Sequence, residues 1–381
     1  MDHIYLDHAA TAPMHEDVWK AMYPVYQEVF GNPSSVHAFG RKARQQLDRA
    51  RRVLAESIHA NEKEIIFTSG GTEADNIALF GTASAVKSRG NHIITTAQEH
   101  HAALHTAEQL ERQGFDVTYL PVYGDGQISM EDLKQSLRED TILVSVMYVN
   151  NETGVIQPVE EIGKLLAEHQ AYFHTDAVQA YGLIDINTKE LGIDLLTVSS
   201  HKINGPKGIG FLYVREGVKV EPLQFGGEQE RKRRPGTENV AGAVGFSTAA
   251  QIGMEERELR NELYQGYKDL FLSKLEKQGI SFEINGDYNR SIASIVNVSF
   301  PGTNVETLLT NFDLEGIAAS SGSACTAGSV EPSHVLSAMY GEKNECTTNS
   351  IRFSFGLFNN KENVEEAADR VAKIIKRLTS L

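Results

Sequence analysis

From about residue 60 to 216, short apolar and β-branched runs alternate with amphipathic stretches. The runs fall at 64–68, 92–96, 116–122, 141–149, 171–175, 195–199 and 208–214. Between several of them, residues 73–87, 101–113, 130–138 and 159–169 space their apolar positions at helical intervals. Runs apolar on both faces that alternate with helices predict an α/β fold with a mostly parallel seven-stranded sheet covered by helices. Ligands on such sheets bind beyond the carboxyl ends of the strands, so the residues just after each run are where chemistry is expected.

Further along, residues 239–278 read as one long helix with an apolar first half and a charged, heptad-like second half. That helix would lead into a smaller α+β lobe, with strands at 293–299, 316–320 and 351–354 and a closing helix at 363–379. The expected division is a large domain over 15–254 and a small C-terminal domain built from 1–14 and 255–381. No internal repeat or low-complexity tract stands out.

A length of 381 residues suits such a two-lobed chain. With 41% hydrophobic and 23% charged residues, disorder is excluded as the dominant state. No stretch approaches the roughly 18 uninterrupted apolar residues of a spanning helix, so no membrane partner is expected. The N-terminus, M-D-H-I-Y-L-D-H, shows neither the basic nor the apolar region of an export signal. The formal charge of −15 opposes affinity for polyphosphate, so direct nucleic-acid binding is not expected. The two cysteines, Cys325 and Cys346, form no C-x-x-C and are too few for a disulfide framework or a cysteine-based zinc site. Free thiols in a cytoplasmic protein are the expectation.

Four segments place reactive groups at predicted strand ends. In S-S-H-K-I-N-G-P-K-G-I-G, Lys202 follows an apolar run, where an amine could form a Schiff base with an aldehyde cofactor. In T-S-G-G-T-E-A-D-N, Gly70 and Gly71 let backbone N–H groups approach an anion. Thr72 opens a helix there with Asp75 three residues on, as in a capping box. In F-H-T-D-A-V-Q-A, Asp176 could keep a pyridine nitrogen protonated, with Gln179 beside the same ring. His100, after A-Q-E, could stack on a flat ring and pass protons. Each taken alone also reads as a capped or exposed turn. His101 and His105 stand four apart without an evident third ligand, so no metal is expected. Together, an anion cradle, a ring stacker, a ring-nitrogen carboxylate and an amine on successive strands describe a site for pyridoxal 5'-phosphate.

Cys325 lies in S-S-G-S-A-C-T-A-G-S-V-E-P, whose Gly, Ser and Ala cannot pack firmly. The composition predicts a mobile loop, at about 320–333, that carries a thiol to a substrate and then to a partner. Cys346 has no such setting and reads as a passenger.

Eight motifs in this order resemble those of the NifS-type cysteine desulfurases, from about residue 4 to 356. They are Y-L-D-H-A-A-T-A-P, G-N-P-S-S-V-H, T-S-G-G-T-E-A-D-N, V-N-N-E-T-G, H-T-D-A-V-Q, S-S-H-K-I-N-G-P-K-G, R-R-P-G-T-E-N and S-S-G-S-A-C-T-A-G-S. The long cysteine loop resembles the family's first group. The resemblance implies a fold-type-I, class-V aminotransferase-like enzyme acting as a homodimer on L-cysteine. It implies that Lys202 carries the cofactor, His100 stacks on it, Asp176 pairs with its nitrogen and Gln179 contacts its ring oxygen. Gly71, Thr72, Ser199 and His201 would hold the phosphate, with Thr237 reaching in from the partner subunit. Asn151, bordering the cofactor, and Arg352 would grip the substrate carboxylate, with Asn32 lining the same pocket. Cys325 would take the sulfur as a persulfide, with His100 as the acceptor of its proton, and alanine would leave.

Two departures bear on partners. Pro235 follows the basic run Arg231–Arg234 where many relatives have a small residue. The chain also stops at Leu381, whereas relatives that dock an iron–sulfur scaffold often carry a longer tail. The sulfur acceptor is therefore undecided between an iron–sulfur scaffold and a tRNA thiolase or other thio-cofactor system. A selenocysteine lyase, another lyase or aminotransferase on the same cofactor, and a non-catalytic sulfur-delivery adaptor remain rival readings.

Overall fold

The computed structural model describes residues 3–321 and 332–379, so Cys325 lies outside the described residues. The strands are β1 (Ile4–Tyr5), β2 (Ile65–Thr68), β3 (His92–Thr96), β4 (Asp116–Leu120), β5 (Thr141–Ser145) and β6 (Tyr172–Asp176). They continue with β7 (Leu195–Ser199), β8 (Gly210–Val214), β9 (Glu283–Ile284), β10 (Ile295–Ser299), β11 (Ile317–Ala318) and β12 (Ser350–Ser354). Seven of them form one sheet in the order β2-β8-β7-β6-β5-β3-β4. Only β8 runs antiparallel to its neighbours. Strands β3, β5, β7 and β8 are buried at every position, which is why they read as unbroken apolar runs rather than alternating ones.

Three local expectations change. The run at 141–149 is a strand only to Ser145, although Val146 and Tyr148 still donate to the carbonyls of His174 and Asp176 and so stay on the sheet's rim. The long helix at 239–278 breaks at Glu256 into Val240–Glu255 and Arg257–Lys277. The first half packs on helices Glu16–Glu28 and Ala38–Glu56, the second on the closing helix Lys361–Thr379, and two packing partners require two directions. The capping box at Thr72 does not form. Helix Gly71–Asn76 is entered from Gly70 with no side-chain cap, and Asp75 is turned inward and buried. That helix continues through a π turn, Ile77–Gly81, into Thr82–Val86; π turns inside helices recur near functional sites.

A second apolar core lies around the antiparallel set β12-β10-β9 and gathers Phe271, Phe300, Phe312 and Phe353. The N-terminus joins it, because β1 pairs in parallel with β11 and buries Ile4 and Leu6 there. After the cysteine segment the chain returns to the first core, where Val335, Leu336, Met339 and Cys346 pack. Among the described residues no helix is long and apolar enough to cross a membrane.

Candidate active site

The carboxyl ends of β2, β3, β5, β6 and β7 share one edge of the large sheet, and the chain leaving them surrounds a cavity of about 410 Å³. Ten of the residues singled out by sequence line it: Gly71, Thr72, His100, Asn151, Asp176, Gln179, Ser199, His201, Lys202 and Arg352. They come from both lobes, since Arg352 sits on β12 of the second core.

One end suits an anion. A Cβ added at Gly71 would crowd Val178 Cγ2 at 3.1 Å, so a side chain there would push against the cavity wall where the backbone N–H groups face the space. The cavity continues into a side chamber of about 370 Å³ bordered by Gly70, Thr72, Ser199, His201 and Lys207. His201 Nδ1 lies 3.1 Å from Thr11 Oγ1, and burial beside Lys202 pushes its pKa down to about 4. The ring therefore stays neutral at pH 7 and offers a neutral hydrogen bond beside the lysines.

The floor carries carboxyl groups. Asp176, the last residue of β6, accepts a 2.8 Å bond from the Val178 N–H, while burial raises its pKa to about 6. Asp75 faces the same space. Burial first, and then the Asp176 charge, raise its pKa well above the ordinary carboxyl range. Its Oδ1 lies 3.6 Å from His174 Nε2 and has no hydrogen-bond partner. Two carboxyls sharing a buried floor cannot both ionise cheaply unless a cation lies between or above them. Sequence reading missed Asp75 because the T-x-x-D spacing that suggests a cap is the spacing that turns it inward.

Lys202 follows β7 on a short 3-10 turn, Ser200–Lys202. Its Nζ donates to the carbonyls of Ala9 (2.5 Å) and Ala10 (2.9 Å), on the chain leaving β1. Burial, aided by the Arg352 charge, lowers its pKa to about 8, so a sizeable neutral fraction exists near pH 7.5. Gln179 Nε2 donates to the same Ala9 carbonyl at 3.0 Å.

His100 opens helix His101–Arg112 and accepts a 3.2 Å bond at Nδ1 from the Ala102 N–H. Withdrawal from bulk water and then the Lys202 charge lower its pKa to about 4. A neutral ring that accepts at Nδ1 carries its proton on Nε2. The imidazole is thus arranged to donate from the edge turned away from its helix.

At the opposite wall Arg352 is almost fully buried. Its Nη2 binds Asp7 Oδ1 and its Nη1 binds the Asn151 carbonyl, both at 2.8 Å, and its Nε has no partner in the structure. A buried guanidinium with an unmet donor beside an open cavity is suited to a carboxylate ligand.

Asn32 and Thr237 do not join this cavity in their own chain. Asn32 is exposed and accepts from the Ser34 N–H, and Thr237 borders a separate cleft with Arg234 and Glu238. The basic run before Thr237 is not a free patch. Arg231 donates to the Lys63 carbonyl and Arg234 makes a two-point pair with Glu73. Its turn is fixed by Glu230, which forms a buried two-point ion pair with Arg51 while residues 230–232 take left-handed backbone angles. Cys346 is buried and its thiol is pushed up to about 11, which suits an inert residue. His101 stacks on His105 at 4.8 Å and tilts against His334 at 4.6 Å.

Donor atoms of Asp75, His100 and Asp176 lie within 4.8 Å of one another, a spacing a metal could use. The amine of Lys202 and the glycine cradle in the same cavity decide for a flat cationic ring with an anionic tail, and the residues fit pyridoxal phosphate. The model of the aminotransferase class-V family matches residues 4–366. The chain belongs to that family. Its cofactor is pyridoxal phosphate, which the residues lining the cavity fit. Among curated proteins the chain is 59% identical over 379 residues to "Putative cysteine desulfurase IscS 1" of Bacillus subtilis (strain 168), covering all of both chains. It is 46% identical over 378 residues to "Cysteine desulfurase IscS" of Dictyoglomus turgidum, covering 99% of this chain and 96% of that one. Among solved structures, a NifS-like protein at 34% identity superposes with a TM-score of 0.92, over 98% of this chain and all of the other.

Proposed function

We propose that this chain is a pyridoxal-phosphate-dependent cysteine desulfurase that converts L-cysteine to L-alanine and leaves the sulfur on Cys325 as a persulfide. The observation that carries the reading is one cavity holding an amine of lowered pKa, a floor carboxylate and a buried arginine with an unmet donor, in a chain whose relatives are named for this reaction. When bound, the cofactor supplies an aldehyde for the substrate amine and a ring that draws electrons from the substrate's Cα.

Asp176 would hold the proton of the ring nitrogen. Gly71, Thr72, Ser199 and His201 would hold the phosphate, and His100 would lie against the ring. Arg352, with Asn151 beside it, takes the substrate carboxylate and so aims the Cα hydrogen at Lys202. Lys202 would remove that proton as a neutral amine, a state its depressed pKa makes accessible near neutrality. The Cys325 thiolate then attacks the substrate sulfur. The S–S bond forms as the C–S bond breaks, the bonding pair goes to Cβ, and protons arriving at carbon complete alanine. Cys325 sulfur is oxidised to the persulfide level and the substrate carbon is reduced by the same two electrons. His100, carrying its proton on Nε2, serves better as a donor to the departing product than as the acceptor of the thiol proton.

The active unit is a homodimer. Trp19, Tyr23, Tyr26, Phe30 and Phe39 expose a row of large aromatic side chains on and after helix Glu16–Glu28, which supports burial against a second copy. Thr237 and Asn32, both outside their own cavity, are then supplied to the neighbouring site. The lobe formed by 1–14 and 255–381 carries Cys325, whose persulfide passes to an acceptor protein.

The test is incubation of the holoenzyme with sulfur-labelled L-cysteine followed by mass analysis. Label on the Cys325 peptide together with equimolar alanine supports the reading. Label confined to Cys346, or alanine formed unchanged by Cys325→Ser, overturns it.

A further inference from the structure

The floor of the cavity gathers more acid than one ring nitrogen uses. Asp176 at the end of β6, Asp75 on helix Gly71–Asn76 and Glu99 after β3 are all buried. An oxygen of Asp75, an oxygen of Asp176 and a ring nitrogen of His100 lie within 4.8 Å of one another. Only Asp176 has a part in the reaction as derived above, so Asp75 is a buried acid at the centre of the site with no assigned task.

The two aspartates are not equivalent. Asp176 Oδ1 accepts the Val178 N–H at 2.8 Å, and the charge of Lys202 also favours its anion. Asp75 is deeper, at 1% exposed, and its Oδ1 has no hydrogen-bond partner. Among the described residues, the basic side chain within ion-pair distance of it is His174, whose Nε2 is 3.6 Å away. That ring is engaged with hydroxyls instead: Nδ1 with Ser145 Oγ at 2.8 Å and Nε2 with Thr197 Oγ1 at 3.1 Å. Burial lowers its pKa to about 3, so it is neutral and brings no positive charge to Asp75. The Thr197 hydroxyl favours an Asp75 anion, but burial and the Asp176 charge, with Glu99 behind them, weigh the other way. Two negative charges side by side at this depth cost far more than one. One proton therefore stays on the floor, and the unequal surroundings leave it with Asp75.

We propose that Asp75 is a positioning residue that acts through Asp176: it remains a neutral acid, keeps the floor at a single negative charge and turns a polar group toward that charge. The inference rests on the reading that Asp176 holds the ring-nitrogen proton. A second carboxylate here would raise the affinity of Asp176 for protons and draw that proton away from the ring. An apolar side chain would leave the Asp176 anion without its polar neighbour.

Two measurements on the holoenzyme test it. The infrared difference spectrum of wild type minus Asp75→Asn at pH 7 should contain the carbonyl stretch of one protonated carboxyl, with no carboxylate stretch lost. Dilution of the holoenzyme, followed by the bound cofactor's absorbance, gives the dissociation constant for pyridoxal 5'-phosphate. Asp75→Asn has nearly the same shape and is always neutral, and it should bind within about twofold of wild type. Asp75→Ala should bind about fivefold to twentyfold more weakly. The pH midpoint of the bound cofactor's absorbance change should likewise stay in place with Asn and move with Ala. Loss of a carboxylate stretch in Asp75→Asn would overturn the proposal, as would equal weakening in both variants or wild-type affinity in Asp75→Ala. Should Asp75→Ala fail to fold, the infrared difference decides. Asp176→Asn that keeps the wild-type affinity and spectrum instead removes the reading of Asp176 itself, and the two failures are thereby told apart.

Discussion

The two walls of the cavity are held by different physics. On the large-sheet side, Asp176, His100, His201 and Lys202 follow the ends of β6, β3 and β7, and desolvation together with neighbouring charges shifts all four toward their neutral forms. On the second-lobe side, Arg352 is held by its ion pair with Asp7 and its bond to the Asn151 carbonyl, and Ser333 is tied to Glu152. The first wall is chemistry built into one rigid sheet. The second joins the two lobes through the Arg352 bond to the Asn151 carbonyl. Changes to the first should therefore alter reactivity, and changes to the second should alter where the substrate sits.

The sharpest way to break that contrast is Lys202→Ala. Removing the amine that follows β7 should lower alanine formation by about 10²–10⁴-fold and abolish the protein's bound-cofactor absorbance, while thermal unfolding shows a folded chain. Alanine release at more than a tenth of the wild-type rate would place the base elsewhere.

On the other wall, Arg352→Lys keeps the charge but loses the planar two-point geometry. The expected result is a KM for L-cysteine raised by about tenfold to a hundredfold with a smaller change in kcat. Steady-state kinetics check it, and a fall in kcat alone would mean that Arg352 belongs with the reactive groups.

The smallest effect concerns stability. Glu99 accepts from Thr96 Oγ1 and from the Met147 N–H, yet its Oε2 is buried without a partner and burial raises its pKa from 4.5 to about 8. The folded chain holds this proton where the unfolded chain has released it. Stability is thus fullest below the unfolded value and is lost as pH rises through the folded one. Glu99→Gln should remove that slope, so that its advantage over wild type grows to about 1–3 kcal/mol between about pH 5 and about pH 8.5. Melting temperatures across that range test it, and a gap that shrinks with rising pH would contradict the sign.

Most of the reactive wall was legible before any coordinates. Lys202, Asp176 and His100 each follow an apolar run, and parallel strands bring all their carboxyl ends to one edge whatever the helices between them do. Sequence spacing misled at Asp75, where a cap and an inward-facing carboxyl share the same interval. It also misled at residues 239–278, where continuous helix propensity hid a change of packing partner at Glu256. Asn32 and Thr237 carry no local sign of whether they serve their own cavity or a neighbour's.

What the sequence by itself determined was the order of strands and helices and the reactive groups at their ends, because hydrophobic periodicity and strand direction are local properties that translate directly into position. Tertiary structure alone decided that Asp75 meets Asp176, that Arg352 reaches Asp7 and Asn151, and that Glu152 holds Ser333. Those pairs join residues far apart in the chain, and only tertiary packing, within each lobe and between them, chooses among the partners that chemistry allows.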